Sequence, residues 1–152
     1  MPHKVLITDD DPAVRLALAQ VLDEEGYHVV TAASGEEALR RLIEEAPFDM
    51  LLLDLNLSGK NGWDTFERVT AVNPLLPVVL ITARSDQHAL ARAAGASALV
   101  EKPCDVARLI ETIRELIDEP PMNRLRRVAG RQRSLRHLPA ESEPLVASCV
   151  SS

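Results

Sequence analysis

The stretch Asp49-Met-Leu-Leu-Leu-Asp54 decides the predicted fold. Its interior is continuously apolar, which is typical of a strand that is buried on both faces in the middle of a parallel sheet. Asp54 stands where this strand ends, and ligands of open α/β sheets bind at that end of the strands. Asp54 is therefore the first candidate site residue.

Three other predicted strands bring polar groups to the same edge. Lys4-Val-Leu-Ile-Thr8 precedes Asp9-Asp10-Asp11, Pro77-Val-Val-Leu-Ile-Thr82 ends in a hydroxyl, and Ala98-Leu-Val-Glu-Lys102 ends in an ammonium. Because clustered carboxylates repel one another, such an edge favours a bound cation, and a set of oxygen ligands suits Mg²⁺ better than zinc. A carboxylate beside a metal and a lysine can also act as a nucleophile towards phosphorus.

Helix signals alternate with these strands. Asp11 is predicted to cap a first helix that ends at Gly26, and Ser34-Gly-Glu-Glu37 forms a capping-box pattern. Ser85 or Asp86 is predicted to cap a short fourth helix, and Asp105 a fifth. Five strands that alternate with five helices predict an α/β fold with a doubly wound, five-stranded parallel sheet.

The last 32 residues differ in composition from the rest of the chain. Residues 1–120 hold 11 Lys and Arg against 21 Asp and Glu, a charge of −10, whereas residues 121–152 hold 6 Arg against 2 Glu, a charge of +4. We expect one domain over 1–121 and a flexible tail without a separate domain over 122–152, in which a brief helix over 123–138 is one option. An acidic body disfavours nucleic acid binding, except through the basic tail.

The remaining sequence features predict a cytoplasmic protein. No stretch approaches the ~20 apolar residues of a membrane span, and the N-terminus lacks a signal pattern. Cys104 and Cys149 form no CxxC motif, which argues against a structural zinc site and a disulfide framework.

These motifs together resemble the receiver domain of bacterial two-component response regulators. The resemblance covers roughly residues 3–119 and rests on the acidic run, Asp54, Thr82 and the Lys102-Pro103 pair, in this order at strand ends. It implies a flavodoxin-like (βα)5 fold with strand order 2-1-3-4-5. It also implies a phosphoprotein that works in phosphorelay signal transduction and is not an enzyme, apart from self-catalysed phosphorylation and dephosphorylation.

The resemblance assigns a role to each site residue. Asp54 matches the phosphoacceptor. Asp10 matches a direct Mg²⁺ ligand and Asp9 a ligand that acts largely through water, and the backbone carbonyl of Asn56 completes the expected metal set with Asp54.

A second group of residues matches the switch. Thr82 corresponds to the hydroxyl that turns towards the phosphoryl group, Lys102 to the ammonium that pairs with it, and Ala83 to a small residue beside it. The Lys102–Pro103 peptide bond is expected to be cis. Two positions depart from the family, because Leu99 and Cys104 stand where aromatic residues are usual, so Leu99 marks a signalling face without an aromatic switch.

The implied partners are a sensor histidine kinase or a histidine phosphotransfer protein, and an output protein that the sequence does not identify. With no second globular domain expected, three routes of output are open: binding of another protein at the helix 4, strand 5, helix 5 face, transfer of the phosphoryl group to a histidine phosphotransfer protein, or the tail. The same face is the expected face of a homodimer. The alternatives are a DNA-associated regulator that uses the basic tail, an aspartyl-phosphate phosphatase, and a flavodoxin-like nucleotide-binding module. The phosphatase resemblance is weaker because Asn56 replaces a second acid, and three aspartates after the first strand would repel a nucleotide phosphate.

Overall fold

The computed structural model describes residues 2–56, 62–119 and 135–140, which lie in two compact units, Met1–Leu76 and Pro77–Ser152. The first unit contains, in chain order, β1 Lys4–Thr8, α1 Pro12–Glu24, β2 His28–Ala32, α2 Gly35–Glu44, β3 Met50–Asp54 and α3 Gly62–Val72. The second contains β4 Val78–Thr82, α4 His88–Ala94, β5 Ala98–Glu101, α5 Val106–Ile117 and β6 Arg136–Leu138. Within these described ranges, no helix is both long and apolar enough to cross a membrane.

In the first unit, β1 is the central strand and pairs in parallel with β2 and β3. Its register sets Lys4 opposite His28 and Thr8 opposite Leu53. All five residues of β3 are buried, as the continuous apolar run predicts. The prediction of a strand covered on both faces is therefore confirmed.

In the second unit, β5 pairs in parallel with β4 on one side and with β6 on the other. The predicted parallel α/β fold with strand order 2-1-3-4-5 is confirmed, and a sixth strand is added after β5. The option of a helix over 123–138 is wrong for its last residues, because Arg136–Leu138 form β6. Residues 120–134 lie outside the described ranges.

Helix ends follow the predicted capping chemistry at three places. The side chains of Asp11, Ser34 and Asp105 accept hydrogen bonds from backbone N–H groups in the first turns of α1, α2 and α5. Helix α4 ends at Gly95, whose φ of +84° is a backbone conformation that glycine adopts without steric cost.

The cap of α4 differs from the prediction of Ser85 or Asp86. The N-cap is Gln87, and it makes no side-chain capping bond. The carboxylate of Asp86 instead accepts hydrogen bonds from the side chains of Gln87 at 2.9 Å and Arg84 at 2.6 Å. These two bonds lower the pKa of Asp86 and occupy the carboxylate, so it does not serve the helix.

The capping box of α2 is reciprocal. Ser34 Oγ accepts from the Glu37 N–H at 3.1 Å, while Glu37 Oε1 accepts from the Ala33 N–H at 2.8 Å. The bond from Ala33, with help from the Arg41 guanidinium, holds the pKa of Glu37 below its ordinary value. Glu37 therefore adds stability above the pKa it has in the unfolded chain, and this contribution is lost as the pH falls through the lowered pKa of the folded state.

Replacing Ser34 with alanine is expected to lower the free energy of unfolding by about 1 kcal/mol, because the Glu37 N–H loses its acceptor. Ser85→Ala is the matched control, since Ser85 is exposed and α4 uses no side-chain cap. Urea unfolding of the two variants measures the difference. If Ser85→Ala lowered the free energy of unfolding as much as Ser34→Ala does, the observed caps would be contradicted.

Candidate functional site

The carboxyl ends of β1 and β3 bring three aspartates together. Thr8 of β1 pairs with Leu53 of β3. The residues that follow them, Asp9 and Asp54, therefore lie side by side at the carboxyl ends of the two strands. One carboxylate oxygen each from Asp9, Asp10 and Asp54 lies within 4.8 Å of the others. The convergence of these three acids, predicted from strand ends alone, is thus present in the first unit.

Two members of this cluster are buried and held by backbone donors. Asp9 is 1% exposed and Asp54 3%, whereas Asp10 is partly exposed. Asp9 Oδ1 accepts from the Asp11 N–H at 2.9 Å, and Asp54 Oδ1 accepts from the Asn56 N–H at 2.8 Å. These bonds fix the orientation of both carboxylates.

The donor set suits a hard divalent cation. Three carboxylate oxygens in one cluster match the oxygen ligands that Mg²⁺ takes, and a partly exposed Asp10 leaves room for the waters that Mg²⁺ retains. Burying like charges is costly unless an opposite charge offsets them. The residues present therefore fit a magnesium ion.

Gly62 shapes the chain that follows Asp54. Its N–H donates to the Leu55 carbonyl at 3.2 Å, and a Cβ at this position would lie 2.5 Å from Leu55 Cα. Any side chain would therefore push the start of α3 away from the segment that carries Asn56. Local sequence patterns do not reveal this role of Gly62, because its close approach to Leu55 is a tertiary contact.

Arg15 is a positioning residue that the sequence analysis missed. Its Nη1 donates to the Asp9 carbonyl at 2.7 Å from the first part of α1. The guanidinium therefore supports the backbone at Asp9 and adds positive charge near the acidic run. A basic residue about one turn into the helix after Asp9–Asp11 is the only sequence signal of this role.

In the second unit, the switch candidates Thr82 and Lys102 are joined through their backbones. The Lys102 N–H donates to the Thr82 carbonyl at 2.8 Å. Thr82 is fully buried and its Oγ1 accepts from the Arg84 N–H at 3.0 Å, while Lys102 is partly exposed and Ala83 is exposed. The Lys102–Pro103 peptide bond is cis.

Leu99 and Cys104, the two departures from the family pattern, are both buried, at 0% and 1% exposure. Leu99 pairs in register with Leu80 on one side and with His137 on the other. Leu99 is thus a core residue of β5, and β6 pairs with the outer edge of β5 at this position.

The sequence family described as "Response regulator receiver domain" matches residues 5–114. The chain belongs to this family. It is a receiver domain of the two-component response regulators, and curated relatives of the chain include transcriptional regulatory proteins. The receiver is 44% identical over 86 residues to the transcriptional regulatory protein AfsQ1 of Streptomyces coelicolor, a match that covers 57% of this chain and 37% of that protein. The transcriptional regulatory proteins TorR of Escherichia coli O157:H7 and AruR of Pseudomonas aeruginosa are 32% and 37% identical, and the matches cover 77% of this chain but only 51% and 50% of those proteins.

Solved structures give the same family. A CheY-like receiver domain protein from Methanospirillum hungatei is 31% identical with a TM-score of 0.72, and the match covers 78% of this receiver and 95% of that chain. TrrA from Thermotoga maritima, solved in complex with Mg²⁺-BeF, is 29% identical with a TM-score of 0.69, over 75% and 98% of the two chains. The flavodoxin-like fold is shared with both.

Proposed function

We propose that this receiver accepts a phosphoryl group on Asp54 from the phosphohistidine of a sensor histidine kinase or histidine phosphotransfer protein. The observation that carries the proposal is the convergence of Asp9, Asp10 and Asp54 within 4.8 Å at the ends of β1 and β3. The Mg²⁺-BeF complex of TrrA supports the same chemistry, since TrrA shares the fold.

Asp54 is the proposed nucleophile. One oxygen of its carboxylate attacks phosphorus, and the new O–P bond forms as the P–N bond of phosphohistidine breaks. The electron pair of the broken bond stays on the imidazole nitrogen of the donor, which takes a proton from water. The bond from the Asn56 N–H to Oδ1 holds the carboxylate in a fixed orientation, which lowers the entropic cost of the attack.

Asp9, Asp10, Asp54 and the backbone carbonyl of Asn56 are the residues that would hold Mg²⁺. The ion, when bound, offsets the negative charge of the transferring group and of the acidic cluster. Burial of Asp9 and Asp54 strengthens this electrostatic stabilisation, because charges interact more strongly away from water. Asp10, which is partly exposed, would hold the water-facing side of the ion.

Thr82 and Lys102 are proposed to bind the phosphoryl oxygens, with Ala83 as the small neighbour that leaves access. Thr82 Oγ1 already accepts a bond from the Arg84 N–H, and a hydroxyl that accepts can still donate its own proton. The bond from Lys102 N–H to Thr82 O links the two residues, so a shift of one is passed to the other. The added charge would then change the α4, β5, α5 face, beneath which Leu99 is buried.

Lys102→Ala is expected to slow both phosphoryl uptake and hydrolytic phosphoryl loss by about tenfold or more, because the transition state of each reaction loses one charge-assisted hydrogen bond to the phosphoryl group. Lys102→Arg keeps the charge and should recover part of both rates. Each reaction is stopped at successive times, and the fraction of phosphorylated protein by intact mass gives the rates of phosphoryl uptake and loss. Unchanged rates in Lys102→Ala would exclude the proposed pairing.

Output is proposed to pass to a partner protein in the cytoplasm, with residues 1–121 acting as the receiver. A second candidate, a DNA-associated regulator that uses the basic residues after 121, is favoured by the transcriptional regulators among the relatives. DNA binding that weakens with salt and disappears on truncation at Pro121 would support this candidate.

The primary test is phosphoryl uptake from a small phosphodonor. We expect the wild-type chain to gain one acid-stable, base-labile phosphoryl group by intact mass when Mg²⁺ is present, and to gain none with excess chelator. Uptake that is equal with and without chelator would show that the acidic cluster does not act through a cation.

A further inference from the structure

Strand β6 covers the outer edge of β5. It pairs in parallel, with Ala98 opposite Arg136 and Val100 opposite Leu138, and the Arg136 N–H donates to the Ser97 carbonyl at 3.2 Å. An uncovered edge strand presents backbone N–H and C=O groups that pair readily with another extended chain. The β5 edge is therefore a ready acceptor for a peptide strand, and residues 136–138 occupy it.

Acidic side chains beside this edge bind the first residue of the strand. Arg136 Nε lies 3.3 Å from Glu115 Oε1 in α5, and Arg136 Nη1 lies 3.6 Å from Glu119 Oε2. The Glu119 side chain is only 5% exposed, so its charge is poorly solvated and gains from a nearby guanidinium. This position of the edge therefore selects a basic residue.

The carboxylate of Glu101 binds the middle and the end of the segment. Its Oε2 lies 2.7 Å from His137 Nε2, and its Oε1 accepts from the Ala140 N–H at 3.3 Å. The His137 ring also stacks on His88 of α4, with ring centroids 4.5 Å apart. Glu101 is buried, and both of its carboxylate oxygens contact residues 137–140.

We propose that the outer edge of β5, with Glu101, Glu115 and Glu119, is a docking site for an extended segment of a partner protein, and that residues 136–140 are its built-in competitor. The partner segment carries an arginine, then a residue that hydrogen-bonds Glu101, then an aliphatic residue like Leu138, which is 6% exposed here. Backbone pairing supplies affinity, and the acidic side chains supply selectivity.

The short length of β6 fits a competitor that can be displaced. It has three residues, and short strands hold few ladder hydrogen bonds. Its attachment to the same chain nevertheless gives it an effective concentration on the order of 1 mM. A free peptide with an intrinsic Kd of about 100 μM would therefore bind the intact chain about tenfold more weakly than a chain with the edge uncovered.

The test uses full-length protein and a fluorescent peptide of residues 134–140, Ser-Leu-Arg-His-Leu-Pro-Ala. The double variant Arg136→Glu with Leu138→Asp uncovers the edge. The matched control is Arg40→Glu with Leu16→Asp, which makes the same chemical changes at exposed positions of α2 and α1. Fluorescence anisotropy is measured without phosphodonor, so the result does not depend on the function of Asp54.

We expect the uncovered variant to bind the peptide at least tenfold more tightly than wild type and the control variant, and a peptide with glutamate in place of its arginine to lose this binding. A second uncovered variant, Arg136→Ala with Leu138→Asp, leaves no charge at position 136 that could pair with a new arginine. Adding Glu115→Arg to it should weaken the arginine peptide and restore the glutamate peptide, and Glu115 is exposed, so the fold is not at risk. The proposal would be overturned if the peptide bound equally to wild type and the uncovered variant, or bound to neither. It would also be overturned if the arginine and glutamate peptides bound the uncovered variant equally. A wild-type dimer that the uncovered variant loses would also overturn it, because a second copy would then supply the strand.

Discussion

Asp54→Asn is expected to abolish phosphoryl uptake while leaving the fold intact. Asparagine has nearly the same shape as aspartate, and its amide oxygen can still accept the bond from the Asn56 N–H that Asp54 Oδ1 accepts at 2.8 Å. The neutral amide has no carboxylate oxygen to attack phosphorus. Intact mass after incubation with Mg²⁺ and phosphodonor should therefore show no gain.

Asp49→Asn is the control for this change, because Asp49 lies on the same segment of chain, just before the amino end of β3. Its Oδ2 accepts from the Lys4 N–H at 2.8 Å, away from the carboxyl ends of the strands. We expect this variant to gain the phosphoryl group as the wild type does. Full uptake by Asp54→Asn, or loss of uptake in Asp49→Asn alone, would mean that the acceptor lies elsewhere.

Asp10→Asn is expected to change stability in opposite directions with and without metal. Three carboxylates whose oxygens lie within 4.8 Å repel one another, so removing one charge should raise the free energy of unfolding by about 1 kcal/mol without divalent cations. In Mg²⁺ at ten times its Kd, the wild type should gain about 1.4 kcal/mol, and the variant much less, because it has lost a ligand.

Glu67→Gln is the matched control for charge, since Glu67 is exposed in α3. It should change stability little and should leave the response to Mg²⁺ unaltered. Urea unfolding of the wild type and both variants, each with chelator and with Mg²⁺, gives the six free energies of unfolding to be compared. A Mg²⁺ response in Asp10→Asn equal to that of the wild type would remove Asp10 from the metal set.

The sequence predicted the fold and the acidic cluster because both depend on local patterns. The run Met50–Asp54 is apolar throughout, and such a strand has to be covered on both faces. Parallel strands then bring their carboxyl ends together, so Asp9, Asp10 and Asp54 meet without any further signal. Caps at Ser34 and Asp105 follow from side chains that bond backbone N–H groups two or three residues ahead.

The features that the sequence did not predict depend on contacts between distant residues. β6 is a strand because the edge of β5 offers backbone partners and because Glu101 and Glu115 lie where His137 and Arg136 can reach them. Asp86 fails as a cap because Arg84 and Gln87 occupy its carboxylate. Helical periodicity and capping rules contain no information about these competing partners.

The most direct measurement of the central claim is the site of the phosphoryl group. Borohydride reduces an aspartyl phosphate to homoserine, and peptide mapping by mass spectrometry then identifies the modified residue. The proposed phosphorylation of Asp54 predicts homoserine at position 54 alone, in wild-type protein that has been treated with phosphodonor and Mg²⁺. Homoserine at position 9, 10 or 11, or phosphoryl uptake without homoserine at position 54, would contradict it.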